Sequence, residues 1–289
     1  MQKVERMVWE SGSLQSRIED APTRRRFSAG CPSDLELQVY ERELEGLSEA
    51  GVALVLGMTP ELRQLAVERF QAVVTIDASQ EAIELYRDWL PLPLRRRETI
   101  VCGSWSLLAD HAAEIEQPIC VVLGDGVFGN MIGREAHLNL LTAIGNVMAV
   151  GGRLITRHAA YPVGYDFEAN TAMRLLEMFR RGQMDEAEFG FAMRMTGHAL
   201  EAYDPSSGRL QNHVIFRWCN AARSRGELNE QEYAIIHRYY FGGDNCIYSQ
   251  DIWENLLQQV GFTWQKTTLT GKHWYAYYPL YTCVPSVVV

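Results

Sequence analysis

Several large classes of protein are excluded by what this sequence lacks. No apolar run approaches the ~20 residues that span a bilayer. The N-terminal Met-Gln-Lys-Val-Glu-Arg-Met carries no continuous apolar segment of the secretory kind. There are six cysteines and no Cys-x-x-Cys pair, so neither a disulfide framework nor a zinc site is expected and a reduced, cytoplasmic protein is. Cys102 and Cys120 fall within apolar runs, where a thiol packs as a small hydrophobe. Positive charge is in deficit: 27 Lys and Arg against 36 Asp and Glu leave a formal net charge of −9. That balance opposes a basic nucleic-acid-binding face, and the arginine triplets at 24–26 and 95–97 read as solvated surface. The phosphate-cradling Gly-x-Gly-x-x-Gly is missing, which counts against a nicotinamide dinucleotide. Repeats and low-complexity tracts are absent as well.

What is present is globular. An apolar fraction of 47% and a charged fraction of 22% over 289 residues suit one large domain, or one domain with a sizeable insertion. Residues 51–61, Gly-Val-Ala-Leu-Val-Leu-Gly-Met-Thr-Pro-Glu, form a short apolar run closed by a glycine, then a polar turn and a helix-like segment. Such a run reads as a strand buried on both faces. Four more follow: 72–76 before Asp77, 99–102 before Gly103-Ser104-Trp105, 119–123 before Gly124-Asp125-Gly126, and 153–156 before Arg157-His158. Between them, Leu62, Leu65, Ala66 and Phe70 keep helical spacing. So do Ala82, Ile83, Tyr86, Trp89 and Leu90 behind a capping Ser79, and a third helix spans 136–150. This alternation predicts a parallel sheet with helices on both faces.

Residues 1–48 read as a helical N-terminal cap, with Leu35, Val39, Tyr40, Leu44 and Leu47 on one face. Residues 165–248 break the alternation and predict a mostly helical insertion or substrate lid. One of its helices covers Met173, Leu176 and Phe179, another runs over 189–203, and a third opens on Asn229 and Glu232 with a Leu228–Tyr233 staple. The core resumes with a helix ending at Gly261, then strands at 262–269 and 273–280 joined by Thr270-Gly271-Lys272. The predicted fold is α/β: a Rossmann-like, seven-stranded, mostly parallel sheet with an antiparallel C-terminal strand, its core at 49–164 and 249–289.

Ligands of open α/β sheets bind outside the carboxyl ends of the strands. Those ends carry Gly57-Met58-Thr59, Asp77, Gly103-Ser104-Trp105, Asp125-Gly126 and Arg157-His158. Asp77 follows Gly57 by twenty residues, and a carboxylate there can accept two hydrogen bonds from a ribose diol. Its other reading is an acid at a helix N-terminus. Trp105 is either a core aromatic or a wall beside an adenine ring.

On these residues, 50–160 resembles the nucleotide-binding core of the class I S-adenosylmethionine-dependent methyltransferases. The resemblance implies that Gly57, Met58 and Thr59 underlie the methionine part of S-adenosyl-L-methionine. It puts Asp77 and Ala78 at the ribose, Gly103, Ser104 and Trp105 along the adenine, and Asp125 and Gly126 toward the transferred methyl. The segment Met-Ala-Val-Gly-Gly-Arg-Leu-Ile resembles the family's approach to strand five, and the final hairpin its antiparallel last strand. About two thirds of the chain is covered. The first loop departs from the pattern: Val55, Thr59 and Glu61 replace an acid and two further glycines, and Ser104 replaces a common aspartate.

The function expected is metal-independent, in-line methyl transfer to oxygen or nitrogen of a small metabolite or natural product. His158 is the first candidate base and Asp125 the second, with a strand-end hydrogen bond as the other reading of His158. Phe128, Asn130, Arg157, His158, Tyr239 and Tyr240 are the candidate acceptor contacts. The motif Gly-Asp-Gly-Val-Phe-Gly-Asn is not the Asn/Asp-Pro-Pro-Tyr of many amide- and base-methylating enzymes, and Asp125 has no second acid at metal-ligand spacing. Competing readings are another nucleoside-using transferase, such as an aminopropyl transferase, and a non-catalytic binding or regulatory module. No nucleic-acid or membrane partner is expected. The oligomeric state is left open, a homodimer being one way to cover the apolar tail at 284–289.

Overall fold

In the computed structural model, which describes residues 30–239 and 243–286, five strands run parallel. They are β1 (Val52–Leu56), β2 (Ala72–Asp77), β3 (Glu98–Cys102), β4 (Ile119–Asp125) and β5 (Met148–Arg157). Two more, β6 (Phe262–Thr267) and β7 (Leu280–Pro285), complete one sheet in the order β6-β7-β5-β4-β1-β2-β3. Strand β7 is antiparallel to both of its neighbours. This is the mostly parallel seven-stranded sheet that the sequence predicts.

The pleat explains why β1 is apolar throughout. All five of its residues are buried. Ala53 and Val55 face a cluster with Val39 and Tyr40 of α1 (Asp34–Glu43) and Leu62 and Ala66 of α2 (Pro60–Arg69). Val52, Leu54 and Leu56 face the other side, against Leu141 and Ile144 of α5 (Arg134–Val147) and Trp253 and Leu257 of α10 (Gln250–Gln259). A strand covered on both faces has no solvated position left for a polar side chain. Helices α3 (Gln80–Tyr86), which Ser79 caps by accepting from the Ala82 amide at 3.1 Å, and α4 (Leu108–Ala113) close the β3 end. Among the described residues no helix is long and apolar enough to cross a membrane.

Among the described residues of 165–248, four helices longer than a single turn occur: α6 (Ala172–Arg180), α7 (Glu186–Met195), α8 (Asn212–Ser224) and α9 (Glu230–His237). Phe189, Met193, Ile215 and Ile236 centre a separate apolar cluster that also takes in Trp274, Tyr275 and Tyr277 from the β6–β7 connection. The expected capping box is present, with Asn229 Oδ1 accepting from the Glu232 amide and Glu232 Oε2 from the Asn229 amide, each at 2.9 Å.

Three expectations are corrected. The helix expected over 189–203 stops at Met195, where the Thr196 and Gly197 amides both turn back onto Ala192 O at 2.8 and 2.9 Å, and resumes as a single turn, Ala199–Ala202. The strand expected at 273–280 is instead a 3₁₀ turn, His273–Ala276, whose aromatics are claimed by the helical cluster. Strand β7 starts only at Leu280, so Val284, read as the start of an apolar tail, pairs with Thr263 instead.

Tyr40 fixes α1 to the sheet. Its hydroxyl donates to Gly124 O and accepts from the Arg157 amide, both at 2.7 Å, and so stands between β4 and β5 at their carboxyl ends. Tyr40→Phe leaves two buried main-chain groups unpaired and should cost about 1–3 kcal/mol. Chemical denaturation checks this, and a loss under about 0.5 kcal/mol would mean the hydroxyl is dispensable.

Candidate functional site

At the carboxyl ends of β1 and β2 the backbone turns sharply. Gly57 adopts φ 91°, a conformation that disfavours side chains, and a methyl group there would lie 3.7 Å from the Trp105 ring and 3.8 Å from Asp77 Oδ2. Asp77 clasps two loops: Oδ2 accepts from the Met58 amide at 3.1 Å and Oδ1 from the Ser79 amide at 2.8 Å. Burial raises its pKa, and the two amides oppose that rise. Met58 contributes main chain only, because its side chain is buried with Ala82, Ile83 and Tyr86. Thr59 makes no side-chain cap to α2, and Ala78 is exposed. Gly103 donates its amide to Asp77 O at 2.9 Å, bringing the next loop alongside. The Ser104 hydroxyl bonds the Ser106 hydroxyl at 2.8 Å, and the Trp105 indole N–H donates to Ile76 O at 2.9 Å. Gly57, Asp77 and Trp105 are therefore neighbours.

At β4 and β5 the site is built from charge. Arg157, about 1% exposed, donates through Nε and Nη2 to the two oxygens of Asp125 at 2.7 and 3.2 Å. Its Nη1 reaches both oxygens of Glu36, at 3.2 and 3.1 Å. The guanidinium also covers the Tyr278 ring at 4.4 Å. Burial alone would lower the pKa of Arg157, but Asp125 and Glu36 together hold it well above the usual value. Glu36 was missed in the sequence. The helix face expected to carry Leu35 carries Glu36 instead: Leu35 is 50% exposed and Glu36 fully buried. A charge on an apolar face is stable here because Arg157 and the Ser33 amide meet it.

The candidate base and two candidate acceptor contacts lie elsewhere. His158 is fully buried, stacked on Trp253 at 3.9 Å and edge-on to Phe128 at 5.7 Å, and neither ring nitrogen has a hydrogen-bond partner. One residue beyond Arg157, it points to the opposite face of the sheet, as the period of two requires. It is a core aromatic, held at the strand end through its main-chain amide, which donates to Pro279 O at 3.0 Å, and not through its ring. Phe128 belongs to the same cluster, against His137. Tyr239 packs edge-on to Phe191 within the helical cluster. Arg157 is committed to two carboxylates rather than presented to a ligand. Tyr240 lies outside the described residues.

A cavity of about 90 Å³ opens where the loop after β4 meets the helical insertion. Its polar walls are Asp125, Gly126, Asn130, Arg194, Asn245 and Tyr278, while Phe191, Met195 and Ile247 supply apolar ones. Gly126, at φ 64°, has to be a glycine: a methyl group there would approach the Tyr278 hydroxyl to 2.5 Å. Among the described residues, Asn130 is the one expected acceptor contact that lines this cavity. Arg194 and Asn245 were missed. Arg194 had a visible signal, a lone charge in Phe-Gly-Phe-Ala-Met-Arg-Met, whereas Tyr278 was hidden in an assumed strand.

The fold is similar to that of several solved structures. One, an S-adenosylmethionine-dependent methyltransferase from Clostridium acetobutylicum, is 12% identical, with a TM-score of 0.52 over 94% of this chain and 98% of that one. The N-methyltransferase NodS of Bradyrhizobium japonicum, solved with S-adenosyl-L-homocysteine, is 11% identical, with a TM-score of 0.51 over 97% and 100%. A Rhodobacter sphaeroides protein bearing the name of a Zn-dependent alcohol dehydrogenase is 17% identical, with a TM-score of 0.55 over 96% and 100%. No family model matches the sequence, and no curated protein matches it. Most of the similar structures are methyltransferases, and the fold is that of class I methyltransferases.

Two measurements test these placements. Arg157→Met strands two buried carboxylates and should destabilise the fold by about 3–5 kcal/mol, read as a drop in melting temperature. Burial keeps His158 well below, and His137 below, the ordinary imidazole value of 6.5. Protons therefore bind the unfolded chain first, so stability is full above pH ~6.5 and falls as pH drops through that value toward the folded ones. His158→Phe should lose less stability between pH 7 and 5 than the wild type. Equal losses would clear His158 of that role.

Proposed function

We propose that this protein is an S-adenosyl-L-methionine-dependent methyltransferase acting on a small-molecule acceptor, by in-line transfer and without a metal. One observation carries the reading: bare backbone at Gly57 beside an Asp77 carboxylate that each adjoining loop approaches with one amide. It occurs in a fold shared with an N-methyltransferase solved with S-adenosyl-L-homocysteine. The residues fit the donor. Each Asp77 oxygen accepts one amide and retains a lone pair for a ribose hydroxyl, and Gly57 leaves the space above it clear. Trp105, held by Ile76 O, is placed to border the adenine.

When bound, the sulfonium supplies a methyl group that is already activated. The chain aligns the partners and excludes water. Asp125 and Gly126 border the donor and acceptor sides, and Asn130, Asn245 and Tyr278 offer polar contacts to the acceptor. Residues 49–164 and 249–289 form the donor half, while 165–248 and α1 cover the acceptor. With His158 in the core, the reading shifts toward a nitrogen nucleophile, whose lone pair attacks before its proton leaves to water.

Calorimetric titration with S-adenosyl-L-methionine and S-adenosyl-L-homocysteine tests the proposal. Both should bind, and Asp77→Ala should weaken them at least about tenfold through loss of charge-assisted hydrogen bonds. No heat from either at millimolar concentration removes the reading. Binding without methyl transfer to any metabolite pool would favour a non-catalytic module instead.

A further inference from the structure

We infer that Asn245 is a positioning residue: it registers the helical insertion against the loop after β4 and so fixes the boundary between donor and acceptor. Its consequence for the donor rests on the methyltransferase reading above, whereas the registration stands on contacts alone.

The root of this side chain belongs to the insertion. Asn245 and Cys246 pair antiparallel with Leu210 and Arg209, and the Ile247 amide donates to Gly208 O at 2.6 Å. Asn212, at the start of α8, donates through Nδ2 to Gly243 O. The tip of the side chain reaches the core. Asn245 Nδ2 donates to Gly129 O at 3.0 Å and to Asn130 Oδ1 at 3.4 Å. Asn130 Nδ2 donates onward to Gly126 O at 3.3 Å. On its other side Asn245 Oδ1 accepts from Arg194 Nη2 of α7, and from Asn212 Nδ2 at 3.0 Å.

These bonds all run one way, from the insertion to Gly126. A guanidinium only donates and a main-chain carbonyl only accepts, so neither amide between them can turn over without setting like against like. Bonds aligned head to tail also polarise one another, which strengthens the chain. Asparagine suits position 245 because it carries an acceptor and a donor on one short planar group. Aspartate has the same shape and no donor. The relay ends at Gly126, which has φ 64° and borders the cavity with Asp125 and Tyr278. A shift of α7 or α8 is thereby passed to the turn assigned to donor and acceptor alike.

Asn245→Asp is the selective cut. The carboxylate keeps its bonds to Arg194 and Asn212 but turns only lone pairs toward Gly129 O and Asn130 Oδ1. Amide hydrogen exchange on the ligand-free protein reads the result. The Asn130 and Met131 amides, which close the turn on Val127 O and Phe128 O, should exchange at least about tenfold faster, with amides inside α7 within about twofold of wild type. By calorimetry, S-adenosyl-L-homocysteine should bind at least about fivefold more weakly, because the turn beside Asp125 is no longer held in place. Unchanged exchange at the turn, or an equal rise in α7, overturns the inference. So does a loosened turn with undiminished S-adenosyl-L-homocysteine affinity. Should Asn245→Asp fail to fold, Asn245→Ala, which adds no charge, is read by the same amides. If the wild type does not bind S-adenosyl-L-homocysteine, the methyltransferase reading falls separately, and exchange at the turn still decides the registration.

Discussion

The upper rim of this sheet depends on one buried guanidinium. Arg157 joins α1, through Glu36, to the loop after β4, through Asp125, and its flat face supports Tyr278 from the β6–β7 connection. Three segments distant in sequence thus converge on a single charge. Desolvating such a triplet gives back much of its Coulombic gain, so its value lies less in net stability than in geometry. Few other arrangements of these segments satisfy two carboxylates with one planar donor. Glu36 is held a second time, its Oε2 accepting from the Ser33 amide at 2.7 Å, and Ser33 Oγ meets the Tyr275 hydroxyl at 2.9 Å.

The two halves of the site are made differently. On the proposed donor side the polar atoms are mostly main chain: the Gly57 turn, the Met58 and Ser79 amides, and one carboxylate. Main-chain atoms keep their positions under most substitutions, which accommodates the irregular first loop with Thr59 and Glu61 in place of glycines. On the proposed acceptor side the polar atoms lining the cavity belong to side chains of α7 and of the segment before α10. Their positions depend on how the helical cluster packs, and they are free to differ where the sheet is not.

The sequence was legible wherever a local rule sufficed. Apolar runs ending in glycine or aspartate marked β1 to β4, because a strand covered on both faces must be apolar and its carboxyl end must turn. Asn229 with Glu232 marked a helix start because that cap is satisfied within four residues. Reading failed where partners were distant. Glu36 drew no notice in the sequence, because the partner that buries it, Arg157, lies 121 residues away. His158 looked like a base because strand ends are where bases stand, yet its side of the pleat was set by Arg157 pointing the other way. The segment at 273–278 has the alternation of a strand, but its aromatics are consumed by a cluster built from residues nearly a hundred positions earlier.

Strand β7 follows every other strand of the sheet in sequence, yet it lies in the interior, between β5 and β6. Until it arrives, β5 is an open edge with unpaired main-chain groups, and β6 has nothing to pair with. Tyr278 reaches the rim only on the same segment. The sheet therefore closes by late, long-range pairing, a slow kind of step in folding. Assembly of the rim and completion of the sheet are one event, so a chain cut short before β7 has neither.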